Sequence, residues 1–179
     1  MALTIFQVNI CSWKNNNYIL KCSLPQTNPD IILLNEISIT EHCKINIRGY
    51  RGIHKCTEQK SGVAIFVKYN LQAKFIEFNS EDILAVKITT NLGQLLVATV
   101  YTPPRRDYIP TIQINKILDF KLPTVIIGDF NANHMMFDNS THSNNKGKQL
   151  FTLINSKNLR YLGPHSIRIS KVNAKENLT

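Results

Sequence analysis

The chain has 179 residues, enough for one domain with a substantial core, and its 43% hydrophobic and 18% charged residues exclude a disordered polypeptide. A net charge of +9 at pH 7 and a pI near 9.5 point to an anionic partner, either nucleic acid or an acidic membrane surface. No run approaches transmembrane length, and Cys11, Cys22, Cys43 and Cys56 form no C-x-x-C pair, which favours thiols in a reducing compartment over a disulfide framework or a structural zinc site.

Residues 1–8 carry neither a basic leader nor an apolar export segment, so the expectation is an intracellular protein, nuclear or cytoplasmic and not secreted. Leu3 to Asn9 reads as a short apolar strand. Asn15 to Leu24 places Tyr18, Ile19 and Cys22 at helical spacing and should stop near Pro25. A turn at Thr27-Asn28-Pro29-Asp30 then leads into Ile31-Ile32-Leu33-Leu34, a fully apolar strand that ends on Asn35-Glu36. A helix between two buried strands suggests sheets covered by helices.

Strand candidates follow at Tyr50 to His54, Gly62 to Lys68, Lys74 to Phe78, Ile83 to Thr89 and Leu95 to Tyr101. Asn91-Leu92-Gly93 reads as a hairpin turn, so this middle third should be antiparallel. After Tyr101-Thr102-Pro103-Pro104-Arg105-Arg106 the chain leaves the sheet. Ile109 to Asp119, with Ile112, Ile117 and Leu118, predicts a helix. Leu122 to Asp129 is another buried strand, and Gly147 to Asn158 predicts a helix with Leu150, Phe151, Leu153 and Ile154 on its core face. There is no internal repeat or interdomain linker, so residues 1–179 read as one domain. Beyond Asp138 the chain carries Lys146, Lys148, Lys157, Arg160, Arg168, Lys171 and Lys175 against Glu176 alone, which marks this half as the side that meets a polyanion.

Three apolar strands each end on polar residues: Asn9, Glu36 and Asp129. Burying carboxylates at such places is costly unless they are paired or bind metal. Two carboxylates with carboxamides form a hard oxygen set suited to Mg²⁺, with Mn²⁺ also possible. Asp129 and Asn131, two residues apart, would point to one side of extended backbone and could address one ligand or one water. An Asp and an Asn after a glycine also suit a plain turn.

The segments Val8-Asn9-Ile10, Asp30-Ile31-Ile32-Leu33-Leu34-Asn35-Glu36, Ser61-Gly62-Val63-Ala64-Ile65, Val100-Tyr101-Thr102-Pro103-Pro104 and Gly128-Asp129-Phe130-Asn131-Ala132-Asn133-His134, in this order, resemble the endonuclease/exonuclease/phosphatase superfamily. Within it, the chain looks like the apurinic-endonuclease-like domain of insect non-LTR retrotransposons of the jockey type. Asn145-Lys146-Gly147-Lys148-Gln149-Leu150 is similar to the helix start that follows the catalytic strand there. The resemblance implies an α+β fold, a four-layer α/β/β/α sandwich of two mainly antiparallel sheets, here with the last strands missing. It implies Mg²⁺-dependent nicking of DNA by phosphodiester hydrolysis, with Glu36 as metal ligand and Asn9 orienting the metal or its waters. Asp129 would deprotonate the attacking water, Asn131 would hold that water or the phosphate, and Tyr101 would donate to the phosphate. Arg105, Arg106, Lys146 and Lys148 would bind nucleic acid, with no membrane contact and no small organic cofactor. In the parent protein a reverse transcriptase domain would lie downstream.

Against the family pattern, a Ser-Asp-His element expected near the domain's end is absent, and none of the five histidines follows an aspartate. His165 is a poor substitute and His134 at most a site-edge residue. Cys11 stands where relatives often carry a polar metal-site residue, and Phe137-Asp138 replaces Trp-Gly. The reading is a C-terminally truncated domain, weak or inactive by itself. Two alternatives stay open: a non-catalytic nucleic-acid-binding remnant, or a phosphomonoesterase of the same superfamily.

Overall fold

The computed structural model of the chain describes residues 3–40, 42–56, 61–137 and 142–163. The first part of the chain builds one sheet from β1 (Ile5–Asn9), β2 (Ile31–Asn35), β3 (Tyr50–Cys56) and β4 (Gly62–Lys68), in the order β1-β2-β4-β3. The next part builds a second sheet, β5-β6-β7-β8, from β5 (Gln72–Glu77), β6 (Ile83–Thr90), β7 (Gly93–Tyr101) and β8 (Thr124–Asp129). Three helices, α1 (Trp13–Thr27), α2 (Thr111–Leu118) and α3 (Asn145–Ser156), complete the described elements.

Alternation along the strands sorts the side chains into three apolar layers. Between the sheets lie Ile31, Leu33, Val63, Ile65 and Val67 from one side and Leu84, Val86, Ile88 and Val97 from the other. The outer face of the first sheet, through Ile32, Leu34 and Phe66, packs on Leu20, Leu24 and Trp13 of α1. The outer face of the second, through Ala85, Leu96 and Ala98, packs on Ile114 and Ile117 of α2 and Leu153 of α3. The result is the α/β/β/α sandwich that the sequence implies. All five residues of β2 are buried because both faces of its sheet are covered, which is why this strand reads as an unbroken apolar run.

The pairing direction places the site. Antiparallel pairs dominate, as expected, but β1 runs parallel to β2 and β7 parallel to β8. Each parallel pair needs a crossover, and α1 and α2 supply them. Parallel strands end together, so Asn9 pairs with Asn35 in one sheet and Tyr101 with Asp129 in the other.

Two helical faces differ from expectation. The helix α1 runs through Pro25 to Thr27 and closes on left-handed Asn28, whose N–H bonds the Leu24 carbonyl. A proline in the last turn forfeits one backbone bond without ending the helix at once. Its buried residue is Leu20, whereas Tyr18 and Cys22 are exposed. In α2 the inward residues are Ile114 and Ile117, and Ile112 is exposed. In α3 the expected face is only partly as read: Leu153 is buried and Leu150 packs beside it, whereas Phe151 packs on His134 and Phe137. None of the four cysteines is disulfide-bonded. Among the described residues no helix is long and apolar enough to cross a membrane.

Candidate active site

Three strands deliver polar residues to one end of the sandwich and then turn sharply through left-handed backbone. Cys11 (φ 51°) follows Asn9, Glu36 itself has φ 52°, and Asn131 (φ 46°) follows Asp129. Such conformations are costly for residues other than glycine and persist where the surroundings hold them. This also corrects the geometry expected of Asp129 and Asn131. Their shared neighbourhood arises from a turn after the strand, in which the Asn131 N–H donates to Asp129 Oδ1 at 2.9 Å, and not from extended backbone.

Asn9 is the hub of the site. Its Nδ2 donates to Glu36 Oε1 at 2.8 Å and to Asp129 Oδ2 at 3.0 Å, so one amide bridges carboxylates that belong to different sheets. Its Oδ1 accepts from the N–H of Cys11 at 3.2 Å, which fixes the orientation of the carboxamide. The Cys11 thiol donates to the same Oδ1 at 3.4 Å, so Cys11 holds Asn9 through both backbone and side chain.

Tyr101, buried at 4% exposure, lies where the charges of Glu36 and Asp129 and the side chain of Ser61 act on its hydroxyl. Burial first, and then the charge of Glu36, hold the phenol well above its ordinary pKa, so it stays protonated. Asn131 donates through Nδ2 to the Thr102 carbonyl at 3.0 Å, while the Thr102 N–H bonds the Asp129 carbonyl at 2.8 Å. The ends of β7 and β8 are thereby locked together. Their approach is so close that a Cβ on Gly128 would lie 1.8 Å from the Val100 carbonyl oxygen, which explains the glycine before Asp129.

Asn9, Glu36, Tyr101, Asp129 and Asn131 thus converge. The predicted cations do not converge as a group. Lys146 is buried at 4% exposure, with its Nζ on the carbonyls of Pro103 at 3.1 Å and Pro104 at 3.4 Å. Burial pushes its pKa down, opposed by the charges of Asp129 and Asp107. It braces the loop after Tyr101 instead of standing on the surface. Arg106 is paired with buried Asp82 and lies over the Tyr108 ring, 5.5 Å from its centroid. Arg105 is exposed, and Lys148, also exposed, lines the groove between α2 and α3 with Thr111, Asn115 and Lys157. Arg168, Lys171, Lys175, Glu176 and His165 lie outside the described residues. His134 stacks on Phe151 with ring centroids 4.5 Å apart and accepts the Met136 N–H at Nδ1, a packing role at the edge of the site.

One residue that sequence reasoning missed is Asn144. It caps α3 by accepting the Gly147 N–H at 2.7 Å, accepts the Asn133 N–H at 3.1 Å and donates to the Asn131 carbonyl at 2.9 Å. An Asn three residues before a glycine at a helix start was the available signal.

Glu36 and Asp129 offer two carboxylates, with the Nδ2 of Asn9 between them. Among the described residues no group of three or more His, Cys, Asp or Glu side chains gathers. A divalent ion that binds through one or two carboxylates and completes its shell with water and phosphate oxygens fits such a set; an all-protein cage does not.

The family model described as endonuclease-reverse transcriptase matches residues 95–177. Curated proteins gave no significant sequence match. Among solved structures, the chain is similar to the endonuclease domain of TRAS1, a telomere-specific non-LTR retrotransposon, at TM-score 0.70 and 18% identity, covering 90% of this chain and 75% of that one. It is similar to the 3' phosphatase NExo from Neisseria bound to a product DNA hairpin (TM-score 0.65, 15% identity, 87% and 71% covered). It is also similar to the AP endonuclease LMAP from Leishmania major (TM-score 0.63, 12% identity, 87% and 67% covered). These likenesses bear out the fold that the resemblance implies, the sandwich common to all of them.

Proposed function

We propose that this chain, an endonuclease/exonuclease/phosphatase-fold domain whose second half matches the endonuclease-reverse transcriptase model, is a Mg²⁺-dependent endonuclease domain of a non-LTR retrotransposon. Its substrate is DNA, and in the parent protein it works beside a reverse transcriptase. The observation that carries the reading is the Asn9 bridge between Glu36 and Asp129, with the buried Tyr101 beside Glu36.

Phosphodiester hydrolysis needs an in-line water, a base to take its proton and relief of charge on the phosphate. Asp129 is the base, with Oδ1 anchored by the Asn131 N–H so that its carboxylate cannot rotate freely. The Nδ2 of Asn131 is committed to Thr102, so this residue orients the water through Oδ1 better than it grips phosphate. Tyr101, kept protonated, turns its hydroxyl toward the phosphate as negative charge grows there. Glu36 would hold Mg²⁺ or Mn²⁺, aided by Asn9. When bound, the ion supplies Lewis-acid stabilisation of the phosphate and leaving oxygens. Arg105 and Lys148 are the cations exposed for DNA phosphates.

Supercoiled plasmid incubated with the purified chain and Mg²⁺ should be nicked, and Glu36→Ala or Asp129→Ala should abolish nicking. Turnover of this 179-residue stretch is expected to be low, since it contains no Asp-His pair to assist at the phosphate. A second reading is favoured by the phosphatase likeness: release of a terminal 3' phosphate from a DNA hairpin without nicking would replace endonuclease by phosphomonoesterase. Salt-sensitive DNA affinity with neither activity, indifferent to Mg²⁺ and to loss of Asp129, would leave only a binding remnant.

A further inference from the structure

The two halves of the site stand on different sheets, Asn9 and Glu36 on the first, Tyr101, Asp129 and Asn131 on the second. What sets their separation is not obvious, because the layer between the sheets consists of aliphatic side chains whose attraction has no preferred direction. Away from the Asn9–Asp129 bond at the site and the Lys55 bonds to the Phe78 and Ser80 carbonyls, a polar chain crosses that layer among the described residues. Gln7 Nε2 on β1 donates to Asn35 Oδ1 at 2.8 Å, and Asn35 Nδ2 donates across the gap to Thr99 Oγ1 at 3.2 Å, with the Val100 carbonyl at 3.5 Å. Asn35 and Thr99 are both fully buried.

Burying two polar side chains in an apolar layer contributes little net stability even when they are bonded, since an apolar pair of similar volume would serve as well. A directional contact instead fixes register. Its location suits that purpose. Asn35 immediately precedes Glu36, and Thr99 lies two residues before Tyr101 on the same inward face of β7. Resting on the active-site reading above, the geometry points to the Asn35–Thr99 hydrogen bond as a bolt between the sheets that holds Glu36 beside Tyr101 and at bridging distance from Asp129 through Asn9. Asn35 and Thr99 are positioning residues that touch no substrate.

Thr99→Val keeps the side-chain shape and removes the hydroxyl; Thr99→Ser keeps the hydroxyl and removes a methyl. The first readout needs no activity: the Tyr101 hydroxyl proton is visible by NMR while its burial beside Glu36 slows exchange with water. The expected result is loss of this resonance in Thr99→Val and retention in Thr99→Ser. In plasmid nicking with Mg²⁺, Thr99→Val should lower kcat on the order of ten-fold or more at unchanged KM, with Thr99→Ser close to wild type. Should Thr99→Val fail to fold, Thr99→Ala removes the hydroxyl without adding bulk. A resonance that survives loss of the hydroxyl, that is lost equally in Thr99→Ser, or that is absent from the wild type overturns the proposal. If the wild type does not nick DNA, the nuclease reading falls, and the NMR result alone decides the bolt.

Discussion

Replacing Asn9 is the most direct probe of the candidate site, because its Nδ2 bonds Glu36 at 2.8 Å and Asp129 at 3.0 Å. Hydrogen bonds to charged acceptors contribute about 1.5–3 kcal/mol each. All three residues are partly exposed, which puts the values at the lower end, so the pair comes to about 3 kcal/mol of preorganisation. Spent entirely on holding the carboxylates in place, this corresponds to on the order of a hundred-fold in rate. Asn9→Leu should therefore reduce single-turnover plasmid nicking by about that factor. Asn9→Asp substitutes a third carboxylate for the donor. Without divalent ions the three charges repel one another and the thermal melt should fall below wild type; Mg²⁺ should recover most of the loss and raise the melt more than it does in wild type. The reasoning is refuted if Asn9→Leu nicks within a factor of about two of wild type, or if the Asn9→Asp melt is the same with and without Mg²⁺.

Gly128→Ala forces a Cβ to within 1.8 Å of the Val100 carbonyl oxygen, so β7 and β8 must part; the loss should be about 3 kcal/mol or more in a denaturant melt followed by circular dichroism. Asn144→Ala should cost more than the roughly 1 kcal/mol of an ordinary helix cap, because its bonds to Asn131 and Asn133 go too, and nicking should fall with it. His134→Ala should lower stability by about 1 kcal/mol through the lost stack on Phe151 and leave nicking per folded molecule unchanged, which separates packing from chemistry. The raised pKa of Tyr101 has a definite sign. Folded protein holds the phenolic proton more tightly than unfolded chain, so this share of stability is complete below pH 10.0, the ordinary value, and is lost as pH rises beyond it. The stability difference between wild type and Tyr101→Phe should shrink above that pH, as read from melts across the alkaline range.

Much of the site was legible because its residues interrupt an otherwise simple pattern. Asn9, Glu36 and Asp129 each follow an apolar run that leaves no room for an uncompensated polar group, and the parallel pairing of β1 with β2 and β7 with β8 carries them to one end. The inward face of α1 was less legible. Its first turns hold Lys14, Asn15, Asn16 and Asn17, so the apolar spacing is sparse, and Tyr18 and Cys22 suggested a stripe that Leu20 and Leu24 in fact provide. Lys146 looked like one surface cation among several, since nothing in its neighbours foretells that the carbonyls of Pro103 and Pro104, more than forty positions away, will enclose it. Asn35 hid in the same manner beside Glu36, its partner Thr99 being 64 residues distant. Local patterns disclose which residues are polar in an apolar setting; they do not disclose which distant group answers them.

The division of the chain between the two sheets has a consequence for how the molecule can be taken apart. Residues 5–68 hold every strand of the first sheet, and the second begins at Gln72, after a short turn in which Tyr69 is exposed. A cut in that turn severs no strand and yields two fragments, one bearing Asn9 and Glu36, the other Tyr101, Asp129 and Asn131. Each would present a bare aliphatic face, and the face that matches it in shape belongs to the other fragment. The protein is in this sense divided as a split reporter is: neither piece holds the whole group of Asn9, Glu36, Tyr101, Asp129 and Asn131, which reforms only when the two meet.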